Sequence, residues 1–390
     1  MTIEAIVNGI QQNKYLNAMK TAIIKVAFIQ IGVAVAIFMI HIFDQREMIS
    51  AETFNQVALY YAYYCILLGI IFTFVMAQAL IPVEREYQIY TVTFFVMMYG
   101  VRFMESNRFL EFPIVALFLA WITILASEKL SRMQFKSKHV PQAVNDYMTK
   151  LIPIVILLIL NVLILVQFTA IIDLSADILV YVTRFVASFG MVIATILLIC
   201  GFWVLGIHGV AVIGTLLRPF WFYMMIVNGY QVITKQPILY IGSETFFQWI
   251  VWLGGSGCTL GLAIAIRFFA KSEHLKSFGK VGLNSSLFNI NETILFGVPI
   301  VDNKNFRVPF FVAPIVCAVV GYGAMAWGYV SIPSIVSPWV LPAPLGIFIS
   351  SLGDFRSVIL SLILIAISFV VYFPFFKRYD RELQAQEHQR

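Results

Sequence analysis

The feature that most constrains this chain is a series of long apolar runs, roughly residues 24–43, 55–81, 150–172, 185–205, 308–330 and 357–376. Each is long enough to cross a hydrocarbon core of about 30 Å. In lipid, every backbone N–H and C=O must be satisfied within the protein, so only helices and closed barrels cross. The runs far exceed the roughly 10-residue alternating strands of an outer-membrane barrel. The sequence therefore predicts an all-α polytopic membrane protein. Composition agrees: 12% of the 390 residues are charged and 61% hydrophobic, where a soluble domain carries about 25% charge. Twenty-six Lys and Arg with 20 Asp and Glu are too few to cover a soluble fold of this length, so that class is excluded.

The net charge of +6 would suggest nucleic acid if the cations lay on one soluble face. Instead, 16 of the 26 Lys and Arg fall in four stretches between apolar runs, 1–25, 127–150, 267–280 and 376–390. That is the positive-inside pattern, and no nucleic-acid partner is expected. Two shorter runs, 88–101 and 112–126, flank Arg102, Glu105, Arg108 and Glu111, which read as a loop. Counting both runs gives four spans before the basic loop with Lys129, Arg132, Lys136 and Lys138, returning the chain to the cytoplasm. Both termini are expected there, with the outer loops near Asp44 to Glu52 and Asp173 to Asp177. The first 25 residues are polar and amphipathic, so no cleavable signal peptide is expected.

Cys65, Cys200, Cys258 and Cys317 lie in or beside apolar segments without ligand spacing and read as buried, inert thiols. The sequence has no His-Glu-x-x-His motif, Cys/His cluster or phosphate-cradling glycine loop. Metal and P-loop chemistry thus have no site, and neither cofactor nor metal is expected.

After residue 200 the apolar pattern is interrupted. Gly-Ile-His-Gly (206–209), Arg218 with Pro219, Gly-Gly-Ser-Gly (254–257), residues 284–292, 297–299, and Pro338 with Pro342 and Pro344 all read as helix breaks at membrane-grade hydrophobicity. Non-helical backbone is tolerated there only where it is buried or lines a cavity, and such segments point to a transporter's substrate site. Residues 200–356 thus read as the working part and the first half as a scaffold.

Within that part, Glu292 has apolar neighbours on both sides. A carboxylate at the centre of a membrane helix costs about 2.5–3.5 kcal/mol, so it reads as functional; the bland alternative is a solvated hairpin tip. If the segment is helical, Asn289 shares a face with Glu292 and Asn291 adds an amide, a set suited to sugar hydroxyls. His208, between Gly206 and Gly209, is the second candidate: the glycines favour close backbone approach to a ligand, against a plain packing role. The aromatic runs at 60–64 and 221–223 could stack on sugars, but interfacial belts or helix packing are the favoured reading.

These residues carry a resemblance. Leu-Phe-Asn-Ile-Asn-Glu (287–292), Ile-Leu-Phe-Gly-Val-Pro-Ile-Val-Asp-Asn (294–303) and Val-Pro-Phe (308–310) resemble the signature of enzyme IIC, the membrane permease component of the bacterial phosphotransferase system, in its lactose/cellobiose/chitobiose branch. Phe-Trp-Val-Leu-Gly-Ile-His-Gly (202–209), Gly-Gly-Ser-Gly-Cys-Thr-Leu (254–260), Val-Pro (140–141), Pro-Trp (338–339), Gly-Asp (353–354) and Tyr-Phe-Pro-Phe-Phe-Lys (372–377) follow in the family's order, densely from about 127 to 380. One departure is Thr293, where the family usually has Pro.

The resemblance implies about ten transmembrane helices with two re-entrant hairpins in the C-terminal half. It implies an N-terminal scaffold and dimerisation half (1–180), a substrate-binding and translocation half (181–380) and a polar cytoplasmic tail (381–390). It casts Glu292 and His208 as catalytic, with Glu292 accepting the proton of the sugar's 6-hydroxyl, and Asn289, Asn291, His208 and Gly209 as substrate-binding. The implied function is import of a β-linked disaccharide across the bacterial plasma membrane by a homodimer in the lipid bilayer. Phosphorylation would come from a phosphocysteine on a separate cytosolic enzyme IIB, itself served by IIA. The chain would then be the membrane component of a sugar phosphotransferase. The alternatives are a non-phosphorylating transporter or facilitator on the same scaffold, and an inactive sugar-sensing relative.

Overall fold

The computed structural model describes residues 3–389 apart from 131, 134, 168, 301 and 302, so part of the 294–303 motif lies outside the described residues. The described residues contain helices and no strands. In order they are α1 Ile3–Gln12, α2 Lys14–Gln45, α3 Ala51–Leu80, α4 Glu86–Glu105, α5 Phe112–Leu130, α6 Gln142–Gln167, α7 Thr169–Val186, α8 Phe189–Val204 and α9 Gly209–Ile233. There follow α10 Glu244–Phe246, running on as a π-helix over Phe247–Val251, then α11 Leu260–Phe269, α12 Glu273–Leu287, α13 Glu292–Gly297, α14 Lys304–Ala326, α15 Ala343–Ser350 and α16 Phe355–Glu387.

Among the described residues, α2, α3, α5, α6, α9, α14 and α16 are long and apolar enough to cross a membrane, and α7 with α8 makes an eighth span if the bent pair is counted as one. The run expected at 185–205 is thus part of a helix pair bent by 72°. Asp173 and Asp177 lie on α7 rather than in a loop: Asp177 pairs with Arg108 at 2.6 Å and Asp173 with Arg102 at 3.7 Å, so the carboxylates are neutralised on a helical face. The break expected at Arg218–Pro219 is absent because α9 continues through Pro219. Proline removes one backbone bond, which a helix packed by its neighbours tolerates.

The helices group into two compact units, whose boundaries pass through α2, α7 and α9. The first comprises residues 1–29, 51–183 and 218–226. Its centre is Phe112, fully buried, which fits against α3 and α4 only because Gly69 and Gly100 lack side chains: a Cβ on Gly69 would lie 2.6 Å from the Phe112 ring. Tyr99 on α4 donates to Asn161 Oδ1 on α6 at 2.9 Å, satisfying two buried polar groups at once.

The second unit comprises residues 30–50, 184–217 and 227–390. Two of its segments turn back on themselves as helical hairpins. In the first, α10 and its π extension lead through a turn at 252–259 into α11. A ten-residue helix rises about 15 Å, half a hydrocarbon core, so α11 cannot span alone. In the second, an irregular stretch at 328–342 leads into α15, which turns into α16. The hairpins interlock: Trp249 Nε1 donates to Ser350 Oγ at 3.0 Å, and its indole occupies the space a Cβ on Gly346 would take.

The far end of α16 clamps α12. Asp380, buried, accepts the amide hydrogens of Lys271 and Ser272, and Glu387 accepts those of Glu273 and His274. The helix α16 therefore runs on through most of the stretch read from sequence as a tail.

Candidate functional site

His208 sits where α8 turns into α9. Gly206 takes φ +76°, and the amides of Gly206 and Ile207 donate to the carbonyls of Trp203 and Phe202, a Schellman termination of α8. Two residues on, His208 caps α9, its Nδ1 accepting the Ala211 amide at 3.1 Å. That lone pair is occupied, so the exposed ring offers a donor at Nε2. Gly209 is buried, and a Cβ there would fall on the Ile199 carbonyl. Its close approach is therefore to the backbone of α8.

Trp203 lies with its ring centroid 4.5 Å from that of His208. Its indole N–H is buried without a hydrogen-bond partner among the described residues. Sequence reasoning quoted Trp203 within a motif and gave it no role; an orphan donor becomes visible only once the packing is known.

Glu292 is the first residue of α13, whose Ile294 and Leu295 are buried. The short helix fits against α12 closely: a Cβ on Gly282 would lie 2.6 Å from Ile294 Cδ1, and one on Gly297 2.8 Å from the Phe278 ring. Glu292 itself is exposed, and among the described residues its carboxylate has no hydrogen bond or ion pair with the protein, His208 included.

The two asparagines before it behave differently. Residues 289–291 are not helical, so Asn289 does not share a helix face with Glu292. Asn289 takes φ +60°; its Oδ1 accepts the Gly254 amide at 3.2 Å and its Nδ2 donates to the carbonyls of Trp339 and Leu341 at 2.9 and 3.0 Å. Asn291, buried, donates to the Ser256 carbonyl at 2.8 Å and to Thr259 Oγ1 at 2.9 Å. Both amides thus reach the Gly-Gly-Ser-Gly turn of the first hairpin. Gly254, Gly255 and Gly257 all have positive φ there, and a Cβ on Gly255 would collide with Asn291.

The same turn is tied to α16, where Tyr372 donates to the Gly257 carbonyl at 2.7 Å. Behind it Cys258 and Cys317 bring their sulfurs to 3.6 Å, and all four cysteines are free and buried. Trp339, its carbonyl held by Asn289, leaves its side chain 55% exposed. Among the described residues no group of three or more His, Cys, Asp or Glu is placed to hold a metal.

Among the described residues the second unit therefore offers an exposed carboxylate without a protein partner, an exposed imidazole whose Nδ1 is engaged and an exposed indole face, with an unpaired indole N–H buried beside the imidazole. Such groups read hydroxyls and stack on sugar rings.

The chain is similar to several known proteins. The chain is 34% identical over 186 residues to the lichenan permease IIC component of Bacillus subtilis (strain 168), covering 47% of this chain and 41% of that protein. It is 35% identical over 202 residues to the cellobiose-specific EIIC component of Geobacillus stearothermophilus, covering 51% and 45%. The chain thus spans under half the length of these relatives. Its fold matches the crystal structure of ChbC, the IIC component of the N,N'-diacetylchitobiose-specific phosphotransferase system, with a TM-score of 0.81 at 22% identity over 99% of this chain and 98% of that one. The family model "Phosphotransferase system, EIIC" matches residues 22–314, about three quarters of the sequence, and with that match the chain belongs to the EIIC family of the phosphotransferase system.

Proposed function

We propose that this chain is a sugar-translocating permease that imports a β-linked disaccharide and presents its 6-hydroxyl to a phosphocysteine on a separate enzyme IIB. The observation that carries the reading is the carboxylate of Glu292. In a motif whose neighbouring amides are engaged with backbone and Thr259, it alone among the three polar side chains is exposed and without a protein partner. A carboxylate so placed can accept the proton as the hydroxyl attacks phosphorus. Phosphoryl transfer otherwise needs chiefly positioning and charge stabilisation. His208, its ring packed on Trp203, would donate from Nε2 to a sugar oxygen, and Trp339 would stack on a ring.

The relatives named for cellobiose and lichenan support the β-linked substrate class, and those named lactose-specific EIICB components support a IIB partner. The clustered cations support a plasma-membrane orientation with both termini cytoplasmic, and the assembly in this reading is a homodimer.

The test uses membrane vesicles of known orientation, a panel of labelled β-disaccharides added outside, and phosphorylated IIB with its regenerating IIA supplied only on the face bearing residues 127–150. Accumulation of a sugar phosphate inside is the expected result. Free sugar inside would mean a facilitator, binding without flux a sensor, and phosphorylation only with IIB on the other face a reversed orientation.

A further inference from the structure

We infer that Asn289 is a positioning residue: it locks the tips of both helical hairpins onto the turn that presents Glu292, and does not itself hold the sugar. This rests on the function proposed above. Three observations lead to it.

The first is conformational. Asn289 terminates α12 in a left-handed conformation, its amide and that of Ile290 donating to the carbonyls of Ser286 and Ser285. This Schellman position is ordinarily a glycine's, because a Cβ is disfavoured at positive φ. Asparagine tolerates it better than most residues but has no steric advantage there. The side chain must account for its presence.

The second is saturation. Both Nδ2 hydrogens are used, on the carbonyls of Trp339 and Leu341, and Oδ1 already accepts from Gly254. A primary amide has two donors, so Asn289 has none left for a sugar hydroxyl. Asn291 is in the same state, its two donors on the Ser256 carbonyl and Thr259 Oγ1.

The third is what the three bonds join. Gly254 opens the turn of the first hairpin, and Trp339 and Leu341 lie just before α15 of the second, 35, 50 and 52 residues away in sequence. One amide thus fixes two distant loops to a backbone position three residues before Glu292. It also fixes the backbone of Trp339, whose indole is exposed. One side chain thus ties the stacking surface and both hairpin tips to the turn that presents the base, with Asn291 adding a second hold on the first hairpin, so the carboxylate is in register only when both tips are seated.

The discriminating variant is Asn289→Asp. It keeps the side-chain shape, tolerates positive φ and retains an acceptor for the Gly254 amide. It replaces the two donors with a carboxylate oxygen facing the Trp339 and Leu341 carbonyls. Sugar binding, phosphoryl transfer and maleimide labelling of a Val340→Cys reporter would be measured in the full-length protein, with Asn289→Gly as a second variant that keeps the backbone conformation and loses all three bonds.

We expect Asn289→Asp to bind sugar within about threefold of the parent, to transfer phosphate on the order of 10²-fold more slowly, as misplacement by about 1 Å costs, and to label Val340→Cys several-fold faster. Asn289→Gly should behave alike. A loss of binding as large as the loss of transfer, with labelling unchanged, would make Asn289 a sugar ligand and overturn the inference. Parental transfer in both variants would overturn it as well. If the parent itself forms no sugar phosphate, the proposed function fails, while binding and labelling still decide the brace.

Discussion

Glu292→Gln separates chemistry from folding more sharply than any other change in this protein. Its structural cost can be bounded because the carboxylate is exposed and makes no hydrogen bond or ion pair among the described residues. What the fold can lose is the favourable placement of a negative charge in the first turn of α13, about 0.3–1 kcal/mol. The amide is nearly isosteric and still accepts a hydrogen bond, so a sugar hydroxyl keeps a partner. It cannot take a proton. Loss of a general base costs on the order of 10²- to 10⁴-fold in rate, or about 2.7–5.4 kcal/mol of transition-state free energy. The catalytic effect should therefore exceed the structural one several-fold. The assay is a pair of measurements on purified protein: sugar affinity by equilibrium binding, and single-turnover formation of sugar phosphate with phosphorylated IIB. Affinity should stay within about threefold and transfer should fall at least a hundredfold, with the melting temperature nearly unchanged. Parental transfer in the glutamine variant would refute the base role, and equal losses in both measurements would recast Glu292 as a binding residue.

Three further outcomes follow from the geometry. Gly346→Ala should destabilise by about 1–3 kcal/mol through overpacking against the fully buried Trp249, whose N–H is anchored on Ser350, despite the better helix propensity of alanine; an unchanged or raised melting temperature would refute it. Burial alone would raise the Asp354 carboxyl, but the Arg356 guanidinium and the Ser331 amide outweigh it and hold it at about 2, against an ordinary 3.8. Because its pKa is lowered in the folded state, its contribution is present above about pH 4 and fades toward pH 2. The melting-temperature gap between the parent and Asp354→Asn should therefore close over that window, and a gap independent of pH would refute the account. Thr293→Pro should leave binding and transfer within about threefold, since proline is tolerated in the first turn of α13 and the bracing by Asn289 and Asn291 is unaffected; a large gain in transfer alone would show that a bend before residue 293 orients the carboxylate.

The long apolar helices were legible because burial in lipid demands a minimum apolar length; the turn between α4 and α5 was legible from Arg108 and Glu111, whereas Arg102 and Glu105, read as part of that loop, lie in the last turn of α4. The bent pair α7 and α8 was not, since its first helix carries Asp173 and Asp177, and what neutralises them lies about 70 residues away on Arg102 and Arg108. Pro219 misled for a related reason: a proline's local preference is overridden when the surrounding helices hold the strand of backbone in place. Within the site, Glu292 and His208 stood out by charge and by flanking glycines. The amides of Asn289 and Asn291 were equally visible, but sequence shows that an amide is present and not which bonds its donors make. Trp203 was silent for the converse reason, as an unpaired N–H leaves no trace in composition or spacing.

The clamp on α12 sets an order of events during synthesis. The amides of Lys271, Ser272, Glu273 and His274 are received by Asp380 and Glu387, which are 108 to 114 residues further along the chain. At about 5–20 residues per second, the helix that frames Glu292 emerges with its first turn open for roughly 5 to 20 seconds before its capping carboxylates exist. The residues that complete its start are translated after α14 and α15, so the frame of the site is closed late, from the direction of the growing chain.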